Sequence, residues 1–383
     1  MEQLPQQYRH LFPTVQSRIM LASCSQSALA EPVSKAIQDY HDSLLHRGTN
    51  WNEAIEKTES ARNEFARLVG AEPDEIAIVP SVSDAMISVA SSLSAVKKKH
   101  LVYTEMDFPA VSHIWQAQSD YNVSVIPSID GEQPLEQYET YITEETVLTC
   151  VPHVHYRDGC IEDIKAIAAI TKRKGSMLFV DAYQSAGHIP IDVKEWGIDM
   201  LAAGTRKYML GIPGMAFLYV RKELANELKP KASAWFGREN GFGASSYAEG
   251  ARRFQTGTPA FISVYAAAAA LSLLNHIGMS RIRDHIKAVS ADAFQYAAEK
   301  GLELAGAPSV QQPGMISIRD ERASETAALL KKKNVICAPR DNVIRLAPHF
   351  YNTKSELRYA IDEMAAILSA RKKRSLKNRC SPP

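Results

Sequence analysis

Two residues in the middle of the chain, Asp181 and Lys207, have the types and the spacing of a catalytic pair. Each follows an apolar segment, at 177–180 and at 199–203, of the kind that forms buried parallel strands. A carboxylate at the carboxyl end of such a strand lies where α/β sheets bind their ligands. A lysine buried nearby has a lowered pKa, because its charged form is poorly solvated, and it becomes a nucleophilic amine suited to Schiff-base chemistry.

An amine that forms a Schiff base near a carboxylate is what pyridoxal phosphate requires of a protein. A carboxylate beside the pyridine nitrogen keeps that nitrogen protonated, so that the ring accepts electrons when a substrate Cα loses its proton. The sequence therefore predicts pyridoxal 5′-phosphate as the cofactor and Lys207 as the catalytic residue. An ordinary sheet aspartate and a surface lysine are the alternative, which the spacing and the flanking segments together disfavour.

The segment Asp181-Ala182-Tyr183-Gln184, with Lys207 at its distance, resembles the class V aminotransferases, a pyridoxal-phosphate family of fold type I. That family includes cysteine desulfurases, kynureninases and proteins similar to isopenicillin N epimerase. The resemblance implies that Lys207 holds the cofactor as an internal aldimine, that Asp181 pairs with the pyridinium nitrogen and that Gln184 contacts the ring hydroxyl. It extends over about residues 19–370 and implies an α/β fold, with a mainly parallel central sheet flanked by helices and a smaller α+β C-terminal domain.

A helix N-terminus after the apolar segment 75–79 is the predicted phosphate site. Free N–H groups and the helix dipole at such an end favour an anion. The family usually has Gly-Thr-Thr here, whereas this chain has Ser81-Val82-Ser83. We therefore expect the N–H groups of Val82 and Ser83, and the Ser83 hydroxyl, to bind the phosphate. A plain N-cap at Ser81 or Ser83 is the alternative.

Two threonines and an arginine are further candidates for phosphate binding. Many relatives have Ser and His three residues and one residue before the lysine, where this chain has Gly204 and Arg206. Thr205 and Arg206 can still bind phosphate, since a guanidinium is a good bidentate partner. The resemblance implies that Thr258, in a Gly-Thr-Pro turn, reaches the phosphate of the neighbouring subunit of a homodimer. The alternative role for Thr258 is an N-cap of the helix predicted at 261–277.

Aromatic residues are expected around the cofactor ring. The resemblance places Phe108, which follows a strand at 101–104, against the pyridine, and a ring face beside an electron-poor heterocycle is favourable. It also brings the turn that ends in Tyr156 close to the cofactor. His153 and His155 in this turn could suggest a metal, but with no carboxylate cluster evident nearby we interpret them as hydrogen-bonded turn residues and predict no metal.

Two residues are predicted to bind the substrate. Arg345 lies in an apolar strand and therefore demands an anionic partner. The family uses the similar arginine as a fork for the substrate α-carboxylate, whereas a structural salt bridge is the alternative. Ser23, in a loop rich in small hydroxyl residues, matches the family's loop near the same carboxylate, or else belongs to a helix-capping cluster.

The reaction predicted for these residues is transamination of an amino acid or a small amine. A desulfurase needs an exposed cysteine on a loop, whereas Cys337 is too close to Arg345 for that loop and lies within what resembles a buried strand, where a cysteine is usually inert. An α,β-elimination lyase and an epimerase of the same fold remain alternatives. A non-catalytic cofactor-binding module and a nicotinamide enzyme are weaker ones, since no Gly-x-Gly-x-x-Gly fingerprint follows an early strand.

Composition limits the partners and the location. The formal net charge of +1 gives no reason to expect nucleic acid or an acidic membrane as a partner. The five cysteines lie far apart with no Cys-x-x-Cys pairing, which argues against a disulfide framework or a zinc site. We find no signal peptide and no apolar run of membrane-spanning length, and expect a cytoplasmic enzyme.

Four regions are predicted along the 383 residues. Residues 1–20 form an N-terminal arm, and 21–260 form the large cofactor-binding domain. Residues 261–370 supply connecting helices and the small C-terminal domain. Residues 371–383 form a basic tail, for which solvation is the simplest explanation.

Overall fold

A computed structural model describes residues 3–48, 50–129, 131–239, 246–306 and 314–379, with 372–379 as backbone. The strands are β1 (Ile19–Leu21), β2 (Ile76–Val79), β3 (His100–Thr104), β4 (Asn122–Ile126), β5 (Thr146–Pro152), β6 (Met177–Asp181), β7 (Met200–Gly204), β8 (Ala216–Val220), β9 (Ile316–Arg319), β10 (Val335–Arg340) and β11 (Val343–Leu346). The helices are α1 (Gln3–Tyr8), α2 (Pro13–Ser17), α3 (Glu31–His46), α4 (Trp51–Val69), α5 (Val82–Ser92), α6 (Pro109–Gln116), α7 (Leu135–Tyr141), α8 (Ile164–Lys174), α9 (Lys222–Glu227), α10 (Phe261–Ile277), α11 (Met279–Glu299), α12 (Ala323–Lys332) and α13 (Lys354–Arg379).

The larger sheet has the strand order β2-β8-β7-β6-β5-β3-β4. Its neighbours pair in parallel, except that β8 is antiparallel to both β2 and β7. Alternate side chains of β6 enter two apolar clusters, one containing Val180 and α10 and the other containing Phe179 and α5. Helices therefore cover both faces, which explains why these strands are nearly continuous apolar runs. The predicted mainly parallel sheet is confirmed.

The smaller sheet has the order β1-β10-β11-β9 and is antiparallel apart from the β1–β10 pair. Strand β1 joins it from the other end of the chain, with Leu21 paired to Cys337. The residues before β1 form short helices, and the Phe12 ring is buried against Phe350 and Tyr351. Residues 3–21 therefore pack with the C-terminal part of the chain, and the four domain boundaries stay predictions.

The predicted basic tail continues a helix. Helix α13 runs to Arg379, because residues 371–379 have good helix formers and contain neither glycine nor proline. Arg371 forms an ion pair with Asp320 and donates a hydrogen bond to Thr326 at 2.7 Å. The last four residues of the predicted tail, 380–383, lie outside the described residues.

No single helix among the described residues is both long and apolar enough to cross a membrane. Helices α10 and α11 together have the length and apolar composition of a membrane span, but the chain bends by 80° at their junction.

Candidate active site

A cavity of about 870 Å³, including the space at its mouth, lies at the carboxyl ends of β5 and β6 and extends to the smaller sheet. Several residues that the sequence predicted for the site line this cavity: Val82, Ser83, Phe108, Tyr156, Asp181, Gln184, Arg206, Lys207 and Arg345. Strand-end geometry explains the gathering, because the carboxyl ends of parallel strands meet at one edge of the sheet. The cavity draws its walls from both ends of the chain.

Asp181 and Lys207 face this cavity from neighbouring strands. Asp181 ends β6 and pairs in register with Ala202 of β7, and Lys207 follows the end of β7 by three residues. Burial raises the pKa of the Asp181 carboxyl, although Tyr183 N–H donates to it at 2.8 Å and the charge of Lys207 opposes the shift. Burial also lowers the pKa of the Lys207 amine to about 8 against the charge of Asp181. Near neutral pH a fraction of the amine is therefore unprotonated and nucleophilic.

Tyr183 is a site residue that the sequence did not single out. Its ring centroid lies 4.0 Å from the Lys207 Nζ, and its hydroxyl interacts with Arg206. A Cβ at Gly204 would approach the ring of Tyr183 to 2.3 Å, so the ring occupies space that only a glycine leaves free. The glycine at position 204, where many relatives have serine, was a signal in the sequence that something lies close to this backbone. Only the structure shows that the Tyr183 ring fills that space.

Gln184 presents an unpaired acceptor at the cavity. Its Nε2 donates to the Cys24 carbonyl at 3.0 Å, which fixes the orientation of the amide because a carbonyl only accepts. The Oε1 atom is buried and has no hydrogen-bond partner among the described residues. A buried acceptor without a donor costs roughly 1–3 kcal/mol, so this atom is suited to a ligand that donates a proton.

The N-terminus of α5 forms the opposite wall. Ser81 is the N-cap, since its hydroxyl accepts from the Asp84 N–H at 3.1 Å and donates to the Asp84 carboxylate at 2.6 Å. The N-cap alternative is thus correct for Ser81. Val82 and Ser83 follow as the first helical residues and line the cavity. Helix α5 has 11 residues, so its dipole and first N–H groups favour an anion there.

Phe108 and Tyr156 form an aromatic corner of the cavity. Their rings meet edge to face, with centroids 5.2 Å apart and planes at 83°. Phe108 is 38% exposed, so its ring is available to a ligand instead of being core packing. Arg340, which ends β10, has its guanidinium 6.0 Å from the Phe108 centroid and 5.9 Å from that of Tyr156. The sequence did not predict Arg340 for the site.

Arg345 is 3% exposed and is held by backbone carbonyls. Its Nη1 donates to the Tyr156 carbonyl at 2.6 Å and its Nε to the Ala338 carbonyl at 3.2 Å. Among the described residues its hydrogen bonds go to no carboxylate, so the alternative of a structural salt bridge finds no support. The guanidinium retains donors for an anion in the cavity.

Three predicted site residues do not line the cavity of this chain. Ser23 is buried with its hydroxyl 3.3 Å from that of Tyr351, while Cys24 and Ser25 of the same loop line the cavity instead. Thr205 is buried and donates to the Ile212 carbonyl at 2.6 Å, so it holds the lysine turn together. Thr258 is exposed. Helix α10 begins after Ala260 with no side-chain cap, so Thr258 is not its N-cap.

The expectation that His155 has no carboxylates nearby is wrong. His155 Nε2 lies 2.6 Å from Glu162 and its Nδ1 lies 3.4 Å from Asp158. Burial opposes the charged imidazole, but its hydrogen bonds with Asp158, Cys160 and Glu162 outweigh burial and raise the pKa of His155 well above its usual value. His155, Asp158 and Cys160 could by their positions hold a metal ion. A charged imidazole between two carboxylates accounts for the cluster without one.

Comparisons with known proteins place the chain in a family. The family model for class V aminotransferases matches residues 19–358. An uncharacterized aminotransferase of Bacillus subtilis (strain 168), YcbU, is 80% identical over 366 residues, which cover 96% of this chain and 99% of that protein. A kynureninase of Geobacillus thermodenitrificans (strain NG80-2) is 30% identical over 342 residues, 82% of this chain and 78% of that protein.

Solved structures share the fold. An apo cysteine desulfurase of Thermococcus onnurineus NA1 superposes with a TM-score of 0.86 at 24% identity, over 96% of this chain and 98% of that one. The chain therefore belongs to the class V aminotransferase family, which confirms the predicted family, its α/β fold and pyridoxal phosphate as its cofactor.

Proposed function

We propose that this chain is an aminotransferase that binds an α-amino acid between Lys207 and Arg345. The observation that carries the proposal is that one cavity contains a buried amine with a pKa of about 8, a strand-end carboxylate and an arginine that has no carboxylate partner among the described residues. These are the groups that amino-acid chemistry with pyridoxal phosphate needs from a protein. The 80% identity to an uncharacterized aminotransferase supports the same reaction class.

The residues of the cavity fit pyridoxal phosphate. Lys207 would hold it through its amine, and Asp181 would hold a proton at the pyridine nitrogen, where a cation stabilises the charged form of a buried carboxylate. The unpaired Oε1 of Gln184 would accept from the ring hydroxyl. The first N–H groups of α5, at Val82 and Ser83, would bind the phosphate. When bound, the cofactor supplies an electron-accepting ring that weakens the bonds at the substrate Cα.

Further residues would orient the bound groups. Phe108, whose ring is partly exposed at the cavity, would pack against the cofactor ring, and Tyr156 would support Phe108 from the side. Arg206 would supply a guanidinium at the phosphate end, while Thr205 would act by closing the turn and not through its hydroxyl, which is already bonded. Lys207, with its lowered pKa, is the group that moves a proton at the substrate Cα.

An α,β-elimination lyase of the same fold is the second candidate, and relatives support it. A probable cysteine desulfurase of Halalkalibacterium halodurans (strain ATCC BAA-125 / DSM 18197 / FERM 7344 / JCM 9153 / C-125) is 30% identical over 302 residues, 74% of this chain and 72% of that protein. Cys337 does not support sulfur transfer, because strand β10 directs it to the face opposite Arg345 and burial raises its pKa to about 12. An elimination needs no such nucleophile.

A screen of amino acids with the purified holoenzyme tests the proposal. Transamination converts the cofactor to its amine form and yields a keto acid, whereas elimination yields pyruvate and ammonia without an acceptor. Lys207→Ala should abolish trapping of the cofactor on the protein by borohydride, while Lys165→Ala, which removes an exposed lysine, should not. A trapped adduct on the Lys207→Ala protein would refute the assignment, and pyruvate and ammonia alone would favour the lyase.

A homodimer with shared sites is part of the same proposal. Thr258 is exposed, lies outside the cavity of its own chain and caps no helix, which suits a contact with a neighbouring subunit's cofactor. If Thr258→Ala lowers activity, hybrid dimers of Lys207→Ala and Thr258→Ala subunits should regain one intact site when Thr258 acts on the partner. Hybrids that stay as inactive as their parents would place Thr258 in its own subunit.

A cytoplasmic location remains a prediction. The four cysteines of the described residues are free thiols, as is usual in a reducing compartment. Fractionation of cells that produce the chain, with a cytoplasmic enzyme as a marker, checks it.

A further inference from the structure

Arg340 is a cation at the cavity that the proposed mechanism does not use. It ends β10, is exposed and lines the cavity. Its contacts within the described residues are with the rings of Phe108 and Tyr156, at about the outer limit of a cation–π interaction, and include no carboxylate. Such a guanidinium keeps its hydrogen-bond donors for a ligand.

The register of the small sheet directs Arg340 and Arg345 to the same side. Ala338 pairs with Arg345, and Arg340 pairs with Val343. Opposed residues share a face, and residues two apart on a strand share it as well, so both arginines project from one face as diagonal neighbours. Diagonal neighbours lie about 7–8 Å apart, a span that two long side chains can close around one small molecule.

The proposed function assigns an anionic group to the other cations of the cavity, whereas Arg340 has no anionic partner in the part of the chain that the structure describes. The phosphate is expected at the N-terminus of α5 and Arg206, and the substrate α-carboxylate at Arg345. We propose that Arg340 binds a second carboxylate, on the side chain of the substrate, so that the preferred substrate is a dicarboxylic α-amino acid. This inference rests on the aminotransferase function proposed above and adds the class of its substrate.

Steady-state kinetics with matched substrates test the inference. For the wild-type holoenzyme, kcat/KM should be higher for L-aspartate or L-glutamate than for its neutral isostere, L-asparagine or L-glutamine. The ratio of kcat/KM for the acidic amino acid to kcat/KM for its neutral isostere should fall by about 10- to 100-fold in Arg340→Met, because a charge-assisted hydrogen bond to the substrate side chain is lost. Arg340→Lys, which keeps the charge but not the planar fork, should give an intermediate ratio. The loss should appear mainly in KM, since Arg340 touches the far end of the substrate.

Controls distinguish a failure of this inference from a failure of the proposed aminotransferase function. Arg67→Met removes the same charge from an exposed position on α4 and should leave the ratio unchanged. A wild-type ratio near one, or a ratio that Arg340→Met does not alter, would overturn the role of Arg340 while transamination of neutral amino acids persists. If no amino acid of any charge converts the cofactor to its amine form, the proposed function itself fails.

Discussion

Gly204 and Tyr183 show how one side chain depends on the absence of another. The ring of Tyr183 fills the space beside the backbone of Gly204 and lies over the Lys207 amine. Gly204→Ser places a Cβ 2.3 Å from that ring, so the ring must leave its position against the lysine. Because the displaced ring no longer packs against the Lys207 amine, we expect kcat/KM to fall by about 10- to 100-fold.

A second substitution makes this prediction specific. Tyr183→Ala removes the clash, so the double variant with Gly204→Ser should be more active than Gly204→Ser alone. The measurement is a double-mutant cycle in kcat/KM, with Tyr183→Ala as the reference. Additive losses in the cycle would mean that the serine acts on the lysine turn and not through the ring.

At the scale of single residues, the sequence predicted those whose place follows from a strand end. Asp181, Gln184 and Lys207 fall under that rule, and all three reach the cavity. The sequence did not predict Tyr183 and Arg340 for the site, because their positions depend on packing between residues that are distant in sequence. The loop that contains Ser23 lies at the cavity, but its turn decides which of its side chains faces the cavity.

At the scale of an element, the alternation of strand β10 separates the cysteine from the arginines. Cys337 and Ala338 are neighbours in sequence and point to opposite faces, and Ala338 shares its face with Arg345. Cys337 packs with the apolar cluster of the small sheet, where burial raises the pKa of its thiol to about 12. A half-buried thiol that is so weakly acidic is a poor nucleophile.

Cys337→Ala should therefore keep transamination within about twofold of wild type, because its side chain lies on the far face of β10 from the cavity. The thiol of Cys337 in the native protein should also resist alkylation by iodoacetamide at neutral pH. Initial rates and mass spectrometry of the alkylated peptide check both expectations. Loss of sulfur release from cysteine in this variant, with rapid alkylation in wild type, would instead support a desulfurase.

Elements were predictable where apolar periodicity repeats, and their ends were predictable where a cap is visible. Helix α8 begins at Ile164, because Ile161 bridges to Val154 and Asp163 caps the helix by accepting from the Ala166 N–H. The pairing of β1 with β10 joins residues more than 300 positions apart, at Leu21 and Cys337, which no local pattern encodes.

At the scale of the whole molecule, the interior holds three buried histidines in their neutral form. Burial lowers the pKa of His153 to about 3 and that of His349 to about 4, and it places the pKa of His188 well below its usual value. His349 accepts from the Phe350 N–H at 2.8 Å and its Nε2 lies 3.0 Å from the Tyr208 carbonyl. Its neutral ring therefore has both nitrogens in use.

Acid should destabilise the protein through these histidines before most carboxylates titrate. Between pH 6.5 and the pKa of about 4 that His349 has in the folded chain, His349 is protonated in the unfolded chain but stays neutral in the folded one. The free energy of unfolding must then fall as the pH falls, by about 1.4 kcal/mol for each such group at pH 5.5. His349→Gln, which cannot take up the proton, should lose about 1.4 kcal/mol less than wild type between pH 7.5 and 5.5.

Urea unfolding of both proteins at the two pH values measures this difference, and His113→Gln is the control because His113 is exposed. The glutamine at 349 itself destabilises the fold at every pH, so only the change between the two pH values is compared. That comparison cancels carboxyls such as Asp181, whose raised pKa acts in the opposite direction in both proteins. Equal losses in wild type and His349→Gln would mean that His349 is protonated in the folded chain, and that its bond with the Phe350 N–H does not hold the ring neutral.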